Sequence, residues 1–198
     1  MNTRILTIYT IGHSSQTIYN FIDILEKYHI NALVDIRSQP FSSHSPQFNQ
    51  DVLKKQLQIK KIYYIYMGKE LGARRDEPDV YDSNGQVDFI KTAQTPLFKY
   101  GINRIISGLN KNYFIAIMCT EKTPIECHRF GLVSRVLSQS KVNVLHIIDE
   151  NIYIPQKELE QSLIVKYTDK IDFLFQDIGT PLDQAYRLLN KDIGYKKS

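Results

Sequence analysis

The chain is poor in the features that mark several large protein classes. Its 198 residues hold two cysteines, Cys119 and Cys127, with no Cys-x-x-Cys pair and no Asn-x-Ser/Thr acceptor, so a secreted disulfide framework is not expected. No apolar run approaches the roughly 20 residues of a membrane-spanning helix, and Tyr113 to Cys119 has only strand length. No membrane partner is therefore expected. The early apolar stretch Ile5 to Ile11 has no cleavage site behind it and reads as structure, not as a targeting signal, which makes a cytoplasmic address the expectation. GxxxxGK[ST], GxGxxG, HExxH and GxSxG are also missing, so P-loop hydrolysis, dinucleotide redox chemistry, zinc proteolysis and nucleophile-elbow catalysis lack their usual supports.

What is present is an ordinary globular composition, 42% hydrophobic and 23% charged, long enough to bury one full core. The net charge of +4 is mild, but it is uneven. Residues 1–75 carry ten lysines and arginines against five acidic residues, a bias compatible with a phosphate-bearing partner or with a solvated lysine-rich helix face.

Apolar runs alternate with helix-period segments from the start to about residue 150. Strands are predicted at Ile5–Ile11, Ala32–Ile36, Ile62–Tyr66, Tyr113–Cys119 and Val142–Ile148. Helices are predicted at Thr17–Tyr28, Gln50–Gln58, and Asp88–Leu109 with a break near Thr95-Pro96. After strand four, Thr123-Pro124-Ile125-Glu126 reads as a capped helix start, with the helix running to Gln139. Gly68 to Val87 is a long irregular connection. The expected fold is a three-layer α/β/α domain over residues 1–150, Rossmann-like, with a mostly parallel sheet of about five strands. Residues 151–198 are expected to form a helical extension packed on the same domain.

In such sheets ligands bind beyond the carboxyl ends of the strands. Gly12, His13 and Ser14 follow strand one, Asp35, Arg37 and Ser38 end strand two, Glu70, Arg74 and Arg75 follow strand three, and Cys119, Glu121, Cys127, His128 and Arg129 follow strand four. Polar chemistry from four loops thus maps to one edge.

The strings Ile11-Gly12-His13-Ser14, Val34-Asp35-Ile36-Arg37-Ser38, Pro46-Gln47-Phe48-Asn49, Glu70-Leu71-Gly72-x-Arg74 and Met118-Cys119-x-Glu121-x-x-Pro124-x-x-Cys127-His128-Arg129 together resemble the domain of unknown function 488 family. The resemblance spans roughly residues 8 to 148. It implies that these motif residues form the site, and it implies no substrate or reaction.

Read chemically, Arg37, Arg74, Arg75 and Arg129 have the forked geometry that grips phosphate or carboxylate, although pairing with Asp35, Glu70 and Glu121 is an alternative use. Gly12, Ser14, Asp35 and Ser38 join them as expected substrate-binding residues. Glu121 and Glu70 are the candidate acid–base carboxylates, and His13 and His128 the candidate proton-transfer groups. Cys127, near a helix start and beside His128, is a candidate nucleophile, while Cys119 at the end of an apolar strand fits packing as well. The spacing of Cys119, Cys127 and His128 matches no common zinc signature, so no metal and no other cofactor is expected. The expectation is an enzyme acting on a phosphate-bearing small molecule or nucleic acid. The alternatives are a non-catalytic nucleotide or nucleic-acid binder and a cysteine-based redox module.

Overall fold

The computed structural model describes residues 5–172 and 179–197, so residues 173–178 and 198 of the expected extension lie outside the described residues. Its centre is a six-stranded sheet. Strands β1 (Thr7–Gly12), β2 (Ala32–Asp35), β3 (Tyr63–Tyr66), β4 (Ile115–Cys119) and β5 (Asn143–Asp149) run parallel, and β6 (Ile152–Pro155) pairs antiparallel with β5. The order is β3-β2-β4-β1-β5-β6. Every residue of β4 is buried, as befits a strand flanked on both sides and covered on both faces.

Alternation along β4 divides the core. Ala116 and Met118 face a cluster with Phe21, Leu25, Leu53 and Leu57 from helices α1 (Ile18–Lys27) and α2 (Gln50–Ile59). Ile115, Ile117 and Cys119 face the opposite cluster. There they meet Phe98, Ile102, Ile105 and Leu109 of α5 (Pro96–Asn110), which follows the short helices α3 (Gly68–Leu71) and α4 (Phe89–Gln94). The result is the expected three-layer α/β/α domain. Thr17 caps α1 through the Asn20 amide, and Thr95 caps α5 at the proline break.

Three details depart from the sequence-based expectation. The first is β6, which makes a hairpin with β5 at the start of the segment expected to be helical. Beyond it, α7 (Gln156–Lys166) and α8 (Pro181–Ile193) enclose a third cluster around Leu163, Tyr186, Leu189 and the buried Phe130.

The second is the helix after β4. Thr123 makes no side-chain capping bond, and Pro124–Glu126 forms only a single 3-10 turn. Cys127 is extended, with φ −135° and ψ 142°, and helical geometry begins at His128. The chain then runs through a π-helical segment, Arg129–Ser134, into α6 (Arg135–Gln139). Burial of Cys127 and Arg129 sets this start, overriding the local capping signal.

The third is the Gly68–Val87 connection. It is tied down by buried Arg75, which donates to the Lys69 and Glu70 carbonyls and pairs with Glu77. A Tyr81–Val87 bridge closes its far end. Among the described residues, no helix is long and apolar enough to cross a membrane.

Candidate functional site

Strand register brings the site together. Gly12 lies opposite Cys119, and Asp35 lies opposite Met118. The residues just beyond these strand ends therefore converge: the His13 amide donates to the Cys119 carbonyl at 3.0 Å, and the Ile36 amide to the Met118 carbonyl at 3.1 Å. A cavity of about 480 Å³ opens over this junction, lined among others by His13, Arg37, Arg74, Cys119, Glu121 and His128.

Arg37 forms the base of one wall. Its Nε and Nη2 hold the fully buried Asp35 carboxylate at 2.9 and 2.6 Å, and Nη2 also donates to the Phe48 carbonyl. Nη1 reaches His13 Nε2 at 3.2 Å. Since His13 Nδ1 faces the Ser14 carbonyl at 2.8 Å, it must carry the ring proton and Nε2 must accept. Four of the five guanidinium N–H groups are engaged, and one on Nη1 is free for a ligand. Burial lowers the His13 pKa to about 4, and the Arg37 charge adds to the effect, so the ring is neutral at pH 7.

Opposite stand the two thiols and His128. His128 Nδ1 lies 3.6 Å from Cys119 Sγ and 3.8 Å from Cys127 Sγ. Cys127 occupies the position before the helical turn, where its sulfur accepts the Arg129 amide at 3.4 Å. Desolvation would raise the Cys127 pKa, but hydrogen bonding from Cys119 and the charges of Arg129 and His128 bring it well below the ordinary thiol value. Cys119 is pushed the other way, by its hydrogen bond to Cys127 and then by burial. Burial disfavours a charged His128, yet the Cys127 charge raises its pKa overall. The other ring nitrogen, Nε2, is buried without a well-formed hydrogen bond, and the Ile36 backbone contributes to raising the ring's pKa. Glu121 lines the mouth of the cavity, and desolvation together with the Cys127 charge raises its carboxyl.

Gly12 has a mechanical part in this arrangement. A Cβ there would sit 1.8 Å from the Glu121 carbonyl oxygen, so only glycine lets the post-β4 loop close onto β1. Arg129, fully buried, fastens the same loop from below by donating to the Glu121 and Lys122 carbonyls at 2.5 and 2.8 Å.

The structure thus brings His13, Arg37, Ser38, Arg74, Glu121 and His128 to the cavity wall, with Asp35 and Cys127 directly behind it. It places Glu70 elsewhere, paired with Arg104 on α5, and holds Arg75 within its own loop. Arg129 points at backbone carbonyls, and Gly12 and Ser14 line a separate cavity of about 220 Å³. Their guanidinium or backbone groups read as exposed binding chemistry in sequence because their tertiary partners are invisible there. Conversely, Tyr195 lines the main cavity and lies under the exposed Arg74 guanidinium at 4.9 Å, while Phe41 and His44 complete its rim. No sequence signal marks Tyr195, since it lies 121 residues from Arg74.

The family model described as "Domain of unknown function DUF488" matches residues 17–136. The chain belongs to that family. No curated protein and no solved structure matches it.

Proposed function

We propose that this member of the domain of unknown function 488 family is an enzyme acting on a phosphate-bearing substrate, a nucleotide or a nucleic-acid unit, at the carboxyl edge of its sheet. The observation that carries this reading is the single cavity of about 480 Å³ where groups from β1, β2 and β4 and the loop after α3 converge. Its volume falls in the range of about 300–1,000 Å³ typical of small-molecule sites. Arg74 and the free N–H of Arg37 supply anion donors, and His13, neutral at pH 7 with both ring nitrogens engaged, positions the Arg37 guanidinium. Exposed Phe41 and half-buried Tyr195 offer aromatic faces on which a base can stack. Glu121 is the carboxyl group placed to move a proton at the mouth.

Titration calorimetry with a mononucleotide tests the reading. Arg74 is exposed and holds no other element in place through its guanidinium beyond the Tyr195 ring, so Arg74→Ala is expected to keep the wild-type melting temperature. Loss of a charged hydrogen bond should weaken binding by about tenfold. Unchanged affinity, or no nucleotide binding by the wild-type chain, would overturn the proposal. Turnover that survives Glu121→Gln undiminished would remove Glu121 from the chemistry.

A further inference from the structure

Cys119, Cys127 and His128 gather three metal-ligating atoms at one point behind the cavity wall. Their donor atoms, Sγ, Sγ and Nδ1, all lie within 4.8 Å of one another. A ring nitrogen offers one in-plane direction, either a lone pair or an N–H, and so can serve one sulfur well but not two. Here both sulfurs stand at nearly the same distance from it, 3.6 and 3.8 Å, and the two cysteines are free thiols.

A tetrahedral zinc ion with Zn–S near 2.3 Å and Zn–N near 2.0–2.1 Å would hold sulfur and nitrogen about 3.6 Å apart. Both observed separations match that requirement. We propose that Cys119, Cys127 and His128 form a three-ligand site for a thiophilic divalent cation of the zinc class, at the floor of the cavity, with the fourth coordination position open toward Glu121. Two protein sulfurs, one imidazole and one open position form the pattern of a catalytic rather than a structural zinc site.

The surroundings suit the ion. The sulfurs bind as thiolates, their protons passing to solvent, so two negative charges cancel the divalent cation. Arg37 is already neutralised by Asp35, while the Arg129 charge, held against the Glu121 and Lys122 carbonyls, favours the thiolate of Cys127 that a metal requires. With Nδ1 turned to the metal, the ring proton belongs on Nε2, where the Ile36 backbone can serve as its acceptor. The spacing Cys-x7-Cys-His escapes the usual zinc signatures because one ligand ends a strand and the other two stand where the chain enters a helix. This site deepens the proposed enzyme, since a Lewis acid facing the cavity would activate water or polarise a phosphoryl oxygen. Its catalytic meaning rests on that reading, whereas metal binding stands apart from it.

Cobalt substitution tests the site on the intact chain. The folded, metal-stripped protein titrated with Co²⁺ is expected to bind one ion, with intense visible bands of tetrahedral cobalt and a sulfur-to-cobalt charge-transfer band, and Zn²⁺ should displace it. Cys119→Ser and Cys127→Ser should each weaken binding at least 100-fold, while Arg74→Ala should leave the spectrum unchanged. A folded wild-type chain that gives no tetrahedral bands, or bands that survive both cysteine substitutions, would overturn the site. Because the wild-type spectrum is itself decisive, a variant that fails to fold leaves the test intact. Absent cobalt bands with normal nucleotide binding would sink the metal alone, and normal bands without nucleotide binding would sink the substrate reading alone.

Discussion

Arg37 donates from Nη1 to His13 Nε2 across 3.2 Å, and that one contact ties the end of β2 to the end of β1 beneath the cavity. The geometry depends on Asp35, which holds the other side of the guanidinium and also accepts the Tyr64 hydroxyl at 2.7 Å.

Removing that carboxylate charge leaves a buried guanidinium unpaired. Asp35→Asn is expected to lose about 3–5 kcal/mol of stability, the usual effect of breaking a buried pair from one side. Urea denaturation measures it. A loss below about 1 kcal/mol would mean the pair does not hold the strand ends together.

Gly12→Ala places a methyl group against a backbone carbonyl that has no easy way to yield. The expected loss is about 1–3 kcal/mol or more. Nucleotide affinity should fall with it, because the displaced loop carries Glu121. A melting temperature equal to wild type would contradict the close approach.

Arg129→Leu strips two loop carbonyls of their donors while keeping the site apolar and filled. We expect a loss of about 2–4 kcal/mol, from about 1–3 kcal/mol for each stranded acceptor with some recovery by water. The contrast with Arg74→Ala, expected to be stable, separates an arginine that builds the loop from one that faces the ligand. Parallel thermal melts of the two variants decide the matter.

His146 links stability to pH. Fully buried between Thr10 and Gln156, it has a pKa lowered to about 4 by desolvation, against an ordinary value of 6.5. The unfolded chain therefore binds this proton first, so stability is whole above about pH 6.5 and falls as the pH drops toward 4. The contribution is on the order of 3 kcal/mol. His13, also lowered to about 4, acts in the same direction. His146→Gln should reduce the slope of stability against pH in this window; an unchanged slope would show that the ring is not neutral in the fold.

The regular parts of the fold were legible because they depend on local pattern. The alternating strands, the α1 stripe through Phe21, Ile22 and Leu25, and the Thr95-Pro96 break follow from periodicity and proline chemistry. The edge on which His13, Arg37, Arg74, Glu121 and His128 gather followed from parallel-sheet topology. What escaped was everything decided by distant partners. Arg129 and Arg75 appear free in sequence and are consumed by carbonyls in the fold. The Thr123 capping signal was real in composition but lost to the burial of Cys127 and Arg129. The four-residue strand β6 is too short, and its partner too dependent on the hairpin turn, to stand out from the helices around it.

The π-helical segment Arg129–Ser134 has a consequence for how this chain tolerates change. Its wider turns hold about one residue more than an α-helix would over the same rise. Deleting a residue there would let the backbone wind regularly, but each position in an α-helix is worth about 100° of rotation. Cys127 and His128 would then swing away from Cys119 while Leu137 kept its seat in the core. Segment length therefore matters here apart from residue identity: insertions and deletions between His128 and Arg135 would uncouple the two ends of the helix.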